Sequence, residues 1–512
     1  MPIKTFKLYG VKEVDYNAVI AKYKELCSAG IVEINWEDYF NATSPRTETV
    51  IKAPRTGLKD DTKIKNKALY IVHTIAYRSY TQKESSDFGV SVMASVLRQV
   101  IGLDYQELLK ALIDLGYVEA SSWYVMGKSS KQFRVVGSIE IEPCSNATIR
   151  KYIEHTRKML NDNITERLQS KLFVDEYGEN FAPTYIKNLN KFYISDVKGF
   201  DRYVSQEVKR EPTKKGYYEF IKSAFESKLK IYKVDDNNRI YHVLTSLERE
   251  LKDYVNIKYS LDCSNSHPVL FNYFIQRSKG LSISSSYTLS SFLYNLPPLI
   301  TKSNGKSISH YDLQYLHNEL NNSNIEKSEI AGLTDDELLY MWTTMRGTFW
   351  DEILVAHVSD GLDRAEIKQK MFAEVFYSKT PKIAWKTFAK EFKQTYPNVY
   401  RLIARWKEPL RHKDIQEILL RRKKAVMLNG KVYMTNPETA LPNLMMEMES
   451  TIFKEILQSL FRKRIAAIHI HDAIVIPDVN STASLVADTI IAIMREVYKK
   501  FGLHPHFKVE TH

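Results

Sequence analysis

The stretch Ile465-Ala466-Ala467-Ile468-His469-Ile470-His471-Asp472-Ala473-Ile474-Val475-Ile476-Pro477 constrains the fold more than any other part of the chain. Apolar residues lie on both sides of a polar His471-Asp472 centre, and an acid threaded through a core without a partner costs several kcal/mol or more. The pattern therefore predicts a β-hairpin whose tight turn presents Asp472. His469 and His471 also read as an H-x-H metal pair. That reading needs further ligands at suitable spacing, and His504, His506 and His512 form no zincin pattern.

With 512 residues, the chain is long enough for about three domains at roughly 150 residues each. It is 44% hydrophobic and 26% charged, with no apolar run near the ~18 residues that cross a bilayer, which excludes membrane-spanning, collagen-like and mostly disordered classes. The net charge of +12 favours an anionic partner such as nucleic acid. Cys27, Cys144 and Cys263 are few, odd in number and far apart, so a disulfide framework and a Cys-based zinc site are unsupported and a reducing compartment is expected. The start, MPIKTFKLYGVKEVDYN, has no continuous apolar region of the secretory type, and the expectation is a cytoplasmic protein.

The first informative unit spans about 62–137. Helices are predicted over 67–77, 90–100 and 104–115. In the last, Tyr105, Leu108, Leu109 and Leu112 share a face, Asp104 and Glu107 form a capping box, and Gly116 ends the helix. Short strands at 117–118, 123–125 and 132–136 follow, around the turn Met126-Gly127-Lys128-Ser129-Ser130. Helices followed by a basic-tipped hairpin resemble a winged helix-turn-helix, read either as a phosphate-binding module acting through Lys128, Lys131 and Arg134 or as a structural or protein-contact unit. From 148 to 235 the pattern is helical, with basic and aromatic residues interleaved from Lys191 to Lys215 but also Asp196, Asp201, Glu207 and Glu211. Solvated helix faces explain that pattern at least as well as a groove.

Three segments carry chemistry. Residues 257–268 read as a strand ending in Asp262 and a polar turn, with Pro268 at a helix start. Such an Asp suits a metal or an ordinary strand-to-helix turn. Residues 363–377 read as a helix opened by an Asp363/Glu366 capping box. Arg364, Lys368, Phe372 and Phe376 recur every four residues, placing two cations and two rings on one broad face, as suits a nucleoside triphosphate or an amphipathic core helix. The Asp472 hairpin is the third.

Taken in order, an Asp after a strand, R-x3-K-x3-F-x3-F on a helix and HD in an apolar hairpin resemble motifs A, B and C of the family A DNA polymerases and the related single-subunit RNA polymerases. The match covers about 262–478. It extends loosely through Tyr396-Pro397, a long helix near 482–501 and a strand near 505–510. The resemblance implies an α+β, helix-rich fold with a right-hand core of palm and fingers over 236–512 and a thumb-like region over 148–235, preceded by the N-terminal domain over 1–147 that contains the winged-helix-like unit. It implies a DNA polymerase acting on a nucleic-acid template and primer with nucleoside triphosphates and two Mg2+ or Mn2+ ions, off the membrane. Asp262 and Asp472 would bind the metals, with the Cys263 carbonyl as a further ligand. Lys368 and Arg364 would hold triphosphate oxygens, and Phe372, Phe376 and His267 would meet the sugar and base.

The chain departs from that family at four places. His267 stands where a sugar-excluding Glu is usual, Phe376 where Tyr is usual, and Ala473 follows Asp472 where Glu is usual. No Gly follows Phe372. Ala473 is more like the RNA polymerase branch and Phe372 more like the DNA branch. The first half shows no Asp-x-Glu strand, so no proofreading exonuclease is expected. The rival readings are a single-subunit RNA polymerase or primase-like enzyme, a two-metal nuclease, and a non-enzymatic DNA-binding protein that keeps an inactive polymerase-like core.

Overall fold

The computed structural model describes residues 7–29, 32–35, 48–51, 57–81, 90–92, 94–121, 132–169, 173–174, 178–226, 231–234, 239–297, 310–330, 332–357, 362–377, 387–407, 425–428, 431–434, 440–478 and 483–512. The chain divides into two compact units, one of Met1–Glu166 with Lys198–Glu226 and the other of Arg167–Val197 with Ser227–His512. The residues of the expected 148–235 region are thus shared between them. Both units are helix-rich with small antiparallel sheets, an α+β architecture.

In the first unit the strands are β1 (Lys7–Val11), β2 (Val32–Asn35), β3 (Glu48–Ile51), β4 (Val90–Ser91), β5 (Val118–Ala120), β6 (Gln132–Val135) and β7 (Ile139–Pro143). β1 pairs with β7 and β2 with β3, while β4, β6 and β5 form a three-stranded sheet in that order. The helix Asp61–Thr81 runs through the core, burying Ile64, Tyr70, Ile71 and Ile75 against Tyr23, Leu108 and Leu112. The predicted helix over 90–100 begins only at Ala94, because the β-branched Val90 is taken up in β4 opposite Phe133. The helix Lys215–Glu226 comes so close to Asp61–Thr81 that a Cβ on Gly216 would lie 1.8 Å from the Tyr80 carbonyl oxygen. Only glycine permits that approach.

The helix Tyr105–Asp114 forms as its apolar spacing predicts, and Gly116 at φ +75° ends it, with the Tyr117 amide donating to the Leu112 carbonyl at 2.9 Å. The expected cap does not form. Asp104 makes no side-chain bond to the helix. Its carboxylate accepts instead from the Lys67 ammonium at 2.6 Å and from the Tyr23 hydroxyl at 2.9 Å, two stronger demands than a backbone amide that water can reach.

In the second unit the strands are β8 (Ile231–Val234), β9 (Ile240–His242), β10 (Ile257–Cys263), β11 (Ala425–Leu428), β12 (Lys431–Met434), β13 (Ile468–Ile470), β14 (Ala473–Pro477) and β15 (Phe507–Thr511). Four of them form one antiparallel sheet in the order β13-β14-β10-β15. Leu261 lies opposite Ile474, both fully buried, and the helices Ala440–Arg462 and Ala483–Lys499 pack on each other and on this sheet. The helices Ser266–Ser278, Asp335–Arg346, Thr387–Thr395 and Pro397–Lys407 pack on one another, and the first and last of them also on Ala440–Arg462. The Tyr396-Pro397 step separates the last two, Pro397 taking the first helical position. The buried Asp336 carboxylate caps that helix from outside, accepting from the Asn398 amide at 2.7 Å and the Val399 amide at 3.3 Å.

Replacing Asp104 leaves the mostly buried Lys67 ammonium and the Tyr23 hydroxyl short of a partner. Asp104→Ala is expected to cost about 1–3 kcal/mol of stability. Chemical denaturation checks this, and a loss below about 0.5 kcal/mol would remove the interaction from the account of this core.

Candidate active site

The predicted hairpin is β13 and β14, with His471 and Asp472 forming its turn. β14 lies beside β10, so the segments read separately in the sequence become neighbours. Asp262 stands opposite Ala473, and the Cys263 amide donates to the Asp472 carbonyl at 3.1 Å. Two carboxylates from positions more than two hundred residues apart are brought onto adjoining places of one sheet.

Both acids sit beside tightly turned backbone. Among the described residues, three other than glycine have positive φ, and two of them adjoin the aspartates, Asn265 at 59° and His471 at 54°. Such residues persist where surrounding structure holds them, and they cluster at functional sites. The turn after β10 is fixed by the Ser264 amide donating to the His506 carbonyl at 3.0 Å and by the Ser264 hydroxyl, 3.1 Å from His506 Nδ1. Gly347, at φ +80°, ends the helix Asp335–Arg346 against this turn. A Cβ there would meet the Ser264 Cβ at 3.0 Å and the His506 Cβ at 3.2 Å.

A cavity of about 160 Å3 opens at this point, lined by Arg239, Asn265, Ser266, His267, Pro268, Trp350, Lys368, Phe372, Tyr377, Glu449, His471 and Asp472. Asp472, Lys368, Phe372 and His267 meet here, and Asp262 lies beside Asp472. Pockets that enclose a whole small molecule run to roughly 300–1,000 Å3, so this cavity would enclose only part of such a molecule.

The helix Arg364–Met371 opens with the expected capping box. The Glu366 amide donates to Asp363 at 2.8 Å, and the Asp363 amide to Glu366 at 3.1 Å. Its continuation differs from the expectation. Residues Phe372–Phe376 form a π-turn, closed by the Tyr377 amide donating to the Phe372 carbonyl at 2.7 Å, five residues back. The extra residue in the turn shifts every later side chain. Phe376, expected at the nucleotide, is instead a core residue with no exposed surface, packed against Phe271, Phe372 and Phe392. Tyr377 takes the cavity position, its ring stacked 5.0 Å from Phe372 at 23°. Arg364 is also elsewhere, since its guanidinium donates to Asp351 at 2.9 Å on an exposed surface, and it is not among the cavity residues. Of the residues expected at the wing, Lys128 and Lys131 lie outside the described residues, while Arg134 projects from β6 and pairs with Glu119 on β5.

Three residues that sequence reasoning missed complete the wall: Glu449, Arg239 and Tyr377. Glu449 is almost fully buried in the helix Ala440–Arg462, ion-paired with Arg239 and accepting from the Ser266 hydroxyl at 3.1 Å. His267 Nδ1 bonds the Tyr377 hydroxyl, and His267 Nε2 approaches Glu449 at 3.6 Å. Burial, helped by Arg239, pushes the imidazole down to about 4, so it is neutral at pH 7. The consistent tautomer has the tyrosine donating to Nδ1 and Nε2–H directed at the carboxylate.

Burial is the main cause that drives the Asp262 carboxyl up to about 7, and the neighbouring Asp472 charge adds to it, while Lys368 and Lys508 oppose. Asp472 is raised by burial and by Glu449, again opposed by Lys368. The Cys263 thiol, fully buried, is pushed up and stays protonated, so only its carbonyl is a candidate ligand. Among the described residues no group of three or more His, Cys, Asp or Glu side chains converges on a metal position. A destabilised carboxylate pair nonetheless fits divalent cations, which would offset the burial that raises both groups and the Asp472 charge that adds to it at Asp262. Lys368 makes no ion pair among the described residues, and this leaves its ammonium available to an anion.

In comparisons with known proteins, no family model and no curated protein matches the chain. Among the described residues no helix is long and apolar enough to cross a membrane.

Because the folded-state pKa of Asp262 lies above its ordinary value of 3.8, the native protein binds the extra proton between about pH 4 and 7. Stability is therefore lost as pH rises through that window. Asp262→Asn is expected to melt above wild type at pH 8 in EDTA, with the gap closing toward pH 4. Magnesium should raise the wild-type melting temperature far more than that of the variant. A gap independent of pH in a thermal-shift titration would contradict the strained carboxylate.

Proposed function

We propose that the protein is a template-directed nucleotidyltransferase, a DNA polymerase resembling family A, with the sheet β13-β14-β10-β15 as its palm. The observation that carries the reading is the convergence of the acids of two motif-like segments, Asp262 and Asp472, beside one cavity with Lys368 and Phe372 of the third. Asp262 and Asp472, with the Cys263 carbonyl, would hold two Mg2+ or Mn2+ ions, which when bound supply activation of a primer 3′-hydroxyl and neutralise charge on the transferring phosphoryl group.

The chain's own residues do the rest. Lys368 attracts the triphosphate into the cavity and opposes the negative charge that builds as pyrophosphate departs. Phe372, backed by Trp350 at 5.5 Å and stacked on Tyr377, offers a ring to the incoming sugar and base. Neutral His267, edge-on to Phe372 at 5.7 Å, crowds the place where a sugar 2′ substituent would enter. Glu449, held by Arg239, fixes His267 and Ser266 from behind. The π-turn supports the family resemblance at one of its departures, since Tyr377 supplies the tyrosine that Phe376 lacks.

The first unit supports a winged helix-turn-helix as template-binding part. The helices Asp61–Thr81, Ala94–Ile101 and Tyr105–Asp114 alternate with β4 and the β5–β6 hairpin, and β6 lies between β4 and β5. Ala473, after the acid of the hairpin, favours the RNA polymerase branch as a second reading.

Asp262→Ala and Asp472→Ala are each expected to lower metal-dependent primer extension by at least about 1,000-fold while leaving nucleic-acid binding intact, and Lys368→Ala to impair nucleotide use through KM and kcat. Near-wild-type extension in either aspartate variant would end the polymerase reading.

For sugar choice, wild type is expected to prefer dNTPs. His267→Ala should lower the ratio of kcat/KM for a dNTP over its matching NTP about tenfold, with Tyr377→Phe changing it less because it retains the ring. A wild-type preference for NTPs would move the protein to the RNA polymerase branch.

A further inference from the structure

The edge strand β15 pairs only with β10, and its register decides what stands beside the first aspartate. Lys508 lies directly opposite Asp262, and Glu510 directly opposite Ser260. Opposite residues in an antiparallel pair share a face, with Cβ atoms about 4.5–5.5 Å apart. Lys508 therefore flanks Asp262 from β15, while Asp472 adjoins it from the β14 side. The Lys508 ammonium donates to Glu510 at 2.7 Å, and Arg249 reaches the same carboxylate at 4.0 Å.

Lys252, in the short turn Arg249–Tyr254 that leads into β10, is half-buried and makes no ion pair among the described residues. Burial pulls its ammonium down, and the charges of Glu510, Asp262 and Asp472 push the other way. The acids of this turn, Glu250 and Asp253, are both exposed, and Asp253 faces His512 at 3.4 Å. Lys252, Lys508 and Arg249 thus stand by Glu510 and the Asp262–Asp472 pair, outside the cavity that Lys368 lines.

A polymerase needs cations on this flank. The attacking hydroxyl approaches phosphorus in line with the leaving group, and the strand that carries it is a polyanion advancing on two carboxylates. We propose that Lys252 and Lys508, with Arg249 beside them, seat the last phosphodiester of the growing DNA strand so that its 3′-hydroxyl meets Asp262. The assignment rests on the polymerase reading. The exposed Lys508–Glu510 pair is worth only about 0–1 kcal/mol, so an arriving phosphate competes for the ammonium at little cost.

The test uses the full chain and a fluorescein-labelled DNA hairpin with a recessed 3′ end, read by anisotropy without nucleotide. K252A/K508A is expected to weaken binding about tenfold at low salt and to lower the slope of log Kd against log salt by about 1.8, close to 0.9 for each phosphate no longer neutralised. Its melting temperature should match wild type, and Lys508→Gln serves as a milder exposed variant. Replacing the last internucleotide phosphate of the recessed strand with a neutral methylphosphonate should weaken wild type and leave Lys508→Ala unchanged, since the partner is already gone. An unchanged slope, or a methylphosphonate that weakens wild type and variant equally, overturns the assignment. Because binding is measured without turnover, a wild type that binds as expected but incorporates no nucleotide overturns the polymerase reading alone.

Discussion

Two carboxylates held side by side, largely out of water, set the terms for the rest of the second unit. Desolvation raises both groups, Asp472 adds to it at Asp262 and Glu449 adds to it at Asp472, and the fold tolerates this because neither residue sits on a free loop. Asp262 ends a strand paired on both sides, and Asp472 ends a hairpin bonded to that strand. The left-handed residues Asn265 and His471, the glycine at 347 and the Ser264–His506 bonds all lock the backbone around the pair. A site that stores unfavourable charge must be rigid, or it would relax by moving the charges apart.

The wall opposite is organised by Glu449. One carboxylate engages Arg239 before β9, Ser266 at the start of a helix, and His267, which in turn meets Tyr377 after the π-turn. A buried acid with a paired guanidinium and further hydrogen bonds satisfies its desolvation locally, whereas removing either charge would leave the other exposed to a low dielectric. The network joins segments that are distant in sequence.

What can be read from the sequence follows from what is local. The Asp472 hairpin, the strand before Asp262, the Asp363 cap and the Gly116 stop are each set by neighbours within a few residues, and all are found. Asp104 departs from its expected cap because its side chain chooses Lys67, distant in sequence, over its own helix. Glu449 gives no signal, lying with Glu447 in an amphipathic helix whose acids look alike in sequence, and its tertiary partners Arg239, Ser266 and His267 are what make it part of the site. Tyr377 escapes the pattern because a period of four assumes unbroken α-helix, and hydrophobic spacing does not encode the five-residue closure that follows Phe372. The convergence of Asp262, Asp472 and Lys368 is a tertiary fact, to which the sequence contributes only the order of the three segments.

The π-turn at Phe372–Phe376 sets which ring faces the cavity. Reverting one closure from five residues to four would advance the following chain by one position, about 100° of rotation and 1.5 Å of rise. The ring now sunk among Phe271 and Phe392 and the ring now bonded to His267 would exchange surroundings. A single slipped hydrogen bond would thereby release the imidazole and open the aromatic wall. Local backbone rearrangement of this size is the scale on which a helix can act as a ratchet without any hinge.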